Sequence, residues 1–245
     1  GSQRYSLTAG KLRDAGVEGE PMFYEATYMR GLNNIFIGYG GAQLSEHYQA
    51  YQLGLATGSL MGAISVDATH SISQLGDRAG GKKTGQSYRV SYSKLIDETN
   101  SNITLAAYRY STEGYMEFLT ALQTREVVKN GYDPNEIWRS KNRFTLSLNQ
   151  GLPENWGSVF VSASLENYWN SDKGYNKQYQ MGYSNNWKRV SYSVNVGRSK
   201  TSDGKDQTNW YFNMSFPLWD SWCSAAPYFS LRYNQDNNGS KSEQA

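Results

Sequence analysis

The sequence predicts an all-β chain, and more narrowly a transmembrane antiparallel up-and-down β-barrel, on three observations. Apolar and polar residues alternate with period two in run after run, the pattern of a sheet with one apolar and one polar face. Aromatics make up 14% of the 245 residues and include 20 Tyr, against only 5 Pro. No segment carries the spacing of a long amphipathic helix, so this composition favours strands. The connections between runs also tend to alternate between short and long, as they do in outer-membrane barrels.

About 13 strand-like runs can be read along the chain. The first, 4–12, places Tyr5, Leu7 and Ala9 on one parity, and DAGVEGE leads to the second at 22–30, where Tyr24, Ala26 and Tyr28 oppose Glu25 and Thr27. A tight turn, GLNN, precedes the third at 35–44, and the fourth, 47–56, alternates Tyr51, Leu53 and Leu55 with Gln52 and Gly54. In the fifth, 63–75, Ile64, Val66 and Ala68 oppose Ser65, Asp67 and Thr69. The loop GDRAGGKKTG then separates it from a hairpin at 85–111. Tyr88, Val90 and Tyr92 alternate there with Arg89, Ser91 and Ser93 before the polar turn DETNSN. In the second arm Tyr108 and Tyr110 lie on the parity opposite to Ile103 and Leu105, so either a bulge shifts the faces or the tyrosines point inward.

Residues 112–139 form the longest irregular region and are expected as a large surface loop, with a short helix at TALQTREVVKN as the lesser reading. The runs resume at 143–152, 158–168, 175–184, 189–197, 209–218 and 227–234. The clearest is 189–197, with Val190, Tyr192, Val194 and Val196 against Ser191, Ser193 and Asn195. Barrel strands are therefore assigned to 1–236, and 237–245, the end of the polar stretch NQDNNGSKSEQA, reads as a disordered tail.

Spacing separates a barrel from a sandwich. About 19 residues per run plus connection exceeds the 8–12 expected of sandwiches. Short turns on one rim and long loops on the other put the short turns in the periplasm. Trp156, Trp187, Trp219 and Trp222 fall at the short-turn rim and are expected to form an aromatic girdle at headgroup level. The polar parity carries Glu25, Thr27, Asp67, Thr69, Arg89, Ser91, Arg143, Thr145, Ser147, Arg189, Ser193 and Asn195. These residues are expected to line a hydrated lumen.

Other functions find little support. A net charge of +2 gives no electrostatic case for nucleic acid, and the single Cys223 cannot build a disulfide framework. No stretch approaches the roughly 20 apolar residues of a membrane helix. The mean hydropathy of −0.71 is compatible with a barrel, in which only alternate strand residues meet lipid. The opening GSQ resembles a cloning scar, so the lack of a visible leader is no argument for the cytosol. His47 and His70 lack metal-motif partners, and no G-x-S-x-G occurs. GDRAGGKKTG lacks the glycine spacing of a phosphate loop. No enzyme, cofactor, catalytic residue or metal site is expected.

Several stretches together resemble one family: RYSLTAGKLR, RGLNNIFIGYGGAQLSEHYQAYQLGLA, GAISVDATHS, GQSYRVSYSK, YRYSTEGY and FPLW. They are similar to the outer-membrane ushers of chaperone-usher fimbrial systems and cover most of residues 4–235. The resemblance implies a piece of a barrel of about 24 strands, corresponding to the part after the plug domain. It also implies a parent pore that secretes and assembles pilus subunits delivered by a periplasmic chaperone, with chaperone-pilin complexes and outer-membrane lipid as partners. An isolated chain, if closed, should have 12 strands, or up to 14 with the long loop, since open edges are not tolerated in hydrocarbon. The alternatives are a self-contained porin-like channel and a secreted β-sandwich adhesion module.

Overall fold

The computed structural model describes every residue except 1, 78–79, 97–100, 172–173, 202–204, 218–227, 237–240 and 245, and describes the backbone alone at 101–105, 217, 228–236 and 241–244. The strands are β1 (Gln3–Lys11), β2 (Met22–Gly31), β3 (Phe36–Ser45), β4 (Tyr48–Ser59), β5 (Gly62–Gly76), β6 (Gly81–Ile96) and β7 (Ser101–Ser111). After α1 (Phe118–Lys129) and a 3-10 turn at Pro134–Glu136 come β8 (Ser140–Gly151), β9 (Ser158–Tyr168), β10 (Asn176–Trp187), β11 (Val190–Lys200), β12 (Asp206–Pro217), β13 (Tyr228–Asp236) and β14 (Lys241–Gln244).

Among the described residues, 14 strands pair strictly in sequence order. Sequential neighbours define an up-and-down sheet, whereas a sandwich would carry Greek-key crossovers, so the adhesion-module alternative falls. The described residues hold 14 strands, the upper end of the 12–14 expected. The supposed disordered tail also supplies β14, whose Ser242 pairs with Asn234 of β13. A polar segment can pair because the β13 backbone offers a ladder whatever its side chains are.

The chain divides into two units. The first holds Gly1–Tyr92, Ala107–Arg143 and Glu166–Asp172; the second holds Ser93–Ala106, Phe144–Leu165 and Lys173–Ala245.

In the first unit the registers fix which side chains share a face. Gln52 stands opposite Gly41 on β3 and Thr69 on β5, and Thr27 on β2 stands opposite Gly41. By alternation, Glu25, Thr27, Gln43, Gln52, Asp67 and Thr69 lie on one side, with Tyr24, Tyr28, Leu53, Leu55 and Val66 on the other.

Helix α1 corrects the surface-loop expectation for 112–139. It packs mainly on β5, and also on β4, on the same side as Thr69. Tyr48, Ala50, Leu75, Met116 and Ala121 form a buried cluster against which Phe118 rests. The Tyr48 hydroxyl donates to the Met116 carbonyl (2.9 Å), and the Met116 N–H donates to Ser71 Oγ (3.2 Å). The approach is close: a Cβ on Gly85 would lie 2.1 Å from Tyr115 N, and one on Gly114 2.0 Å from Thr84 O. Only glycine permits that backbone contact. With the helix covering this end of β5, the ladder continues outward, and the Lys-rich loop expected at 76–85 shrinks to the connection between Gly76 and Gly81.

In the second unit Ser193 on β11 stands opposite Ser184 on β10 and Asn213 on β12. Gln178, Gln180, Ser184, Ser191, Asn195, Asn209 and Asn213 therefore share a face. Met181, Val194, Val196, Trp210 and Phe212 share the other.

Candidate functional site

The feature with functional content is an extended polar face, and each unit builds its own. On the first unit it is the helix-bearing face. Tyr39 reaches across Gly54, where a Cβ would lie 2.2 Å from the ring, to donate to Asp67 Oδ2 at 2.8 Å. The hydroxyls of Ser65 and Ser91 touch, as do those of Ser6 and Thr27 and, at 3.1 Å, those of Ser87 and Ser111. Glu25, Thr27, Gln43, Gln52, Thr69 and Tyr115 line a concavity of about 200 Å³. Burial, reinforced by the Glu117 carboxylate, pushes the Tyr115 hydroxyl up to about 12.

Charges on this face are paired where α1 docks. Arg109 bonds Glu117, and the buried Arg139 lies 3.8 Å from Glu113. Arg125 donates to the Gln74 carbonyl at 2.9 Å, tying the helix to β5. Lys129 meets Glu18 of the 12–21 loop at 2.9 Å, and that hydrogen bond raises its pKa.

The second unit presents a different surface. Thr145, Ser147, Ser162, Ser164, Gln178 and Gln180 line a cleft of about 440 Å³ together with Ser199, Asn209 and Tyr211. A second cleft of about 280 Å³ is lined by Ser158, Ser184, Asn186, Ser191, Ser193 and Asn213. Among the described residues of β10, β11 and β12, this face carries hydroxyls and amides and no charged side chain.

The expected lining residues fall largely where alternation placed them. Glu25, Thr27, Asp67 and Thr69 share the helix-bearing face by register. Ser91 joins them through Ser65, and Arg89 follows by alternation along β6. Thr145 and Ser147 line the same cleft as Gln180, while Ser193 and Asn195 lie on that face of β11. Arg143 faces Glu166 at 3.3 Å. Arg189 departs from the pattern: it sits in the turn beside Lys188, whose φ is 55°, and not on β11. The ambiguity at β7 also resolves, because Ser111 faces Ser87 and alternation then puts Tyr108 and Tyr110 on the outward side.

Of the girdle tryptophans, Trp156 and Trp187 stand at short turns, 65% and 64% exposed. Lys188 lies 5.1 Å above the Trp187 ring. Trp219 and Trp222 lie outside the described residues.

Sequence reasoning gave α1 only as the lesser reading of 112–139 and missed the residues that seat it, Tyr48, Met116 and Arg139. The only signal for it was the run TALQTREVVK, whose apolar positions alternate irregularly with Thr and Arg. The outward faces expose Leu7, Leu53, Val66, Val90, Met181 and Trp210. So much apolar surface is what a lipid-facing wall carries.

Comparison with known proteins gives this architecture its family. The family model described as outer membrane usher protein matches residues 1–245. The outer membrane usher protein MrkC of Klebsiella pneumoniae is 39% identical over 224 residues, covering 89% of this chain and 26% of that protein. FimD of Salmonella typhimurium is 34% identical over 237 residues, covering 89% and 27%. Among solved structures, the translocation pore of the P pilus usher PapC superposes with a TM-score of 0.64 at 27% identity, covering 96% of this chain and 45% of that one. The chain thus spans about a quarter of the length of the curated relatives it matches. A whole-length family match on an up-and-down sheet with one apolar and one polar face shows that this chain belongs to the outer membrane usher family.

Proposed function

We propose that this chain forms part of the wall of an outer-membrane usher pore through which fimbrial subunits are secreted and assembled. The observation that carries this reading is the usher family match over the whole chain. In each unit the polar face is the water-facing side of the wall and the apolar face meets lipid. Glu25, Thr27, Asp67, Thr69, Arg89, Ser91, Arg143, Thr145, Ser147, Ser193 and Asn195 are the lining residues. Arg189 contributes from the rim. Trp156 and Trp187 anchor the short-turn rim at headgroup level.

The partners of the complete protein are chaperone-bound pilus subunits and, around the wall, outer-membrane lipid. Its work is passage and assembly, not bond making or breaking, so it uses no cofactor. A hydrogen-bonding lining suits that work because it can exchange contacts with a moving polypeptide at small net cost, each bond replacing one with water.

The test is complementation. Cells lacking the endogenous usher but carrying chaperone and subunit genes should regain surface pili when given the full-length protein that contains this chain. Pili are scored by electron microscopy and by immunoblot of sheared surface protein. Correct insertion with no surface subunit, together with steady large single-channel openings, would support the porin-like channel instead.

A further inference from the structure

The outward face of the first unit is not uniform. It contains a trench of about 770 Å³, inside the range of about 300–1,000 Å³ typical of small-molecule sites. Its floor lies along β3, where Gly38 and Gly40 carry no side chains. Tyr28 on one side and Leu53 and Leu55 on the other rise as walls, with Val66, Tyr88 and Val90 beyond them. Asp67 and Arg89 also border the trench, but alternation turns their side chains to the helix-bearing face, so the outward lining is largely apolar and its charged side chain is Arg30, which stands opposite Gly38 at one end.

That end is set by the 32–35 turn. Asn33 Oδ1 accepts from the backbone N–H of both Ile35 and Phe36 at 2.8 Å, which holds the turn in shape. Leu32 folds back from it toward Gly38, within 3.4 Å of where a Cβ would sit. Arg30 is exposed and has no ion-pair partner among the described residues. A guanidinium facing lipid is stable only at headgroup depth, where it can meet an anion. The 32–35 connection is one of the short turns, and short turns lie at the periplasmic rim.

We propose that this trench binds one glycerophospholipid of the periplasmic leaflet. An acyl chain lies along Gly38 and Gly40 between the Tyr28 and Leu53/Leu55 walls, and the phosphodiester takes charge-assisted hydrogen bonds from Arg30. Leaflet position selects the ligand: lipopolysaccharide phosphates would belong at the opposite, long-loop rim. The inference rests on the outward face meeting lipid, and goes beyond the pore reading by assigning a discrete lipid site to that face.

The test uses the full-length protein containing this chain, extracted in mild detergent and examined by native mass spectrometry. Phosphatidylethanolamine and lipopolysaccharide are added back in separate titrations, and heat-modifiable mobility reports the folded barrel independently. The wild type should retain one phospholipid, and Arg30→Gln should bind it about tenfold more weakly. Gly38→Val, which fills the trench, should retain none, while Gln43→Leu on the helix-bearing face should bind as the wild type does. If Gly38→Val does not fold, the exposed Arg30→Gln change decides alone. A folded, pilus-assembling wild type without retained phospholipid would overturn the site and leave the pore reading standing. Equal retention by wild type and Arg30→Gln, or preferential retention of lipopolysaccharide, would overturn it as well.

Discussion

The helix-bearing face of the first unit and the polar face of the second are built on the same period-two alternation but end with opposite character. On the first, Glu25, Asp67, Arg89 and Arg109 bring charge, and α1 lies against the sheet on a buried cluster. On the second, β10, β11 and β12 present Ser, Asn and Gln without charge or covering element among the described residues. Charge on a face creates specific partners, as Tyr39 finds in Asp67 and Arg109 in Glu117. Hydroxyls and amides make many interchangeable bonds that favour no single partner. The first region is thereby suited to hold something in place and the second to let something pass.

The largest effect should come from unseating the helix. Tyr48 is almost wholly buried and bonds the Met116 carbonyl, so Tyr48→Ala should cost about 3–5 kcal/mol of local stability. The check is proteolysis: residues 112–139 should become cleavable while the strands stay protected. Among the described residues of the second unit, no element docks on the polar face to offer an equivalent substitution.

Next is the contrast between faces within one strand. Val194→Arg puts a charge on the apolar side of β11 and should cost about 2–4 kcal/mol near the bilayer midplane. Ser193→Arg, one residue away, should cost little. Unfolding in urea from lipid vesicles measures both.

A smaller, pH-dependent effect belongs to the first region. The Tyr115 hydroxyl is pushed up from its ordinary value near 10 to about 12 by burial and by Glu117. A raised pKa stabilises the docked state below pH 10, and that contribution is lost as pH rises from about 10 through 12. Helix docking, followed by protease resistance, should weaken across that window in the wild type and less in Tyr115→Phe. The smallest effect should be that of Lys129→Ala, since the Lys129–Glu18 pair is exposed. Its unfolding curve should overlay that of the wild type.

How much of this was legible in the sequence differs between the two regions for a physical reason. In β11 the alternation of Val190, Tyr192, Val194 and Val196 with Ser191, Ser193 and Asn195 is a local signal, so the strand and its faces were readable directly. Only Arg189 misled, because a two-residue turn with Lys188 at positive φ removes it from the strand. Helix α1 was only the lesser reading of its segment because its stabilising partners are remote. Ala121, Leu122 and Val128 are buried, but the cluster that Ala121 joins includes Tyr48 and Leu75, far back in the chain. Strand β14 was unreadable for the converse reason: its pairing with β13 is a matter of backbone, and Lys-Ser-Glu-Gln gives no side-chain pattern to recognise.

The central claim is that one face of each strand meets water and the other lipid. It is tested most directly by a cysteine scan of residues 190–197 on β11 in a Cys223→Ser background of the full-length protein, reconstituted in vesicles. Each position is labelled with a membrane-impermeant maleimide or with an environment-sensitive dye quenched by brominated lipid. The account predicts strict alternation: Ser191, Ser193, Asn195 and Gly197 positions react with the water-soluble reagent, and Val190, Tyr192, Val194 and Val196 positions are quenched by lipid. Uniform labelling along the strand, or alternation with the opposite phase, would contradict it.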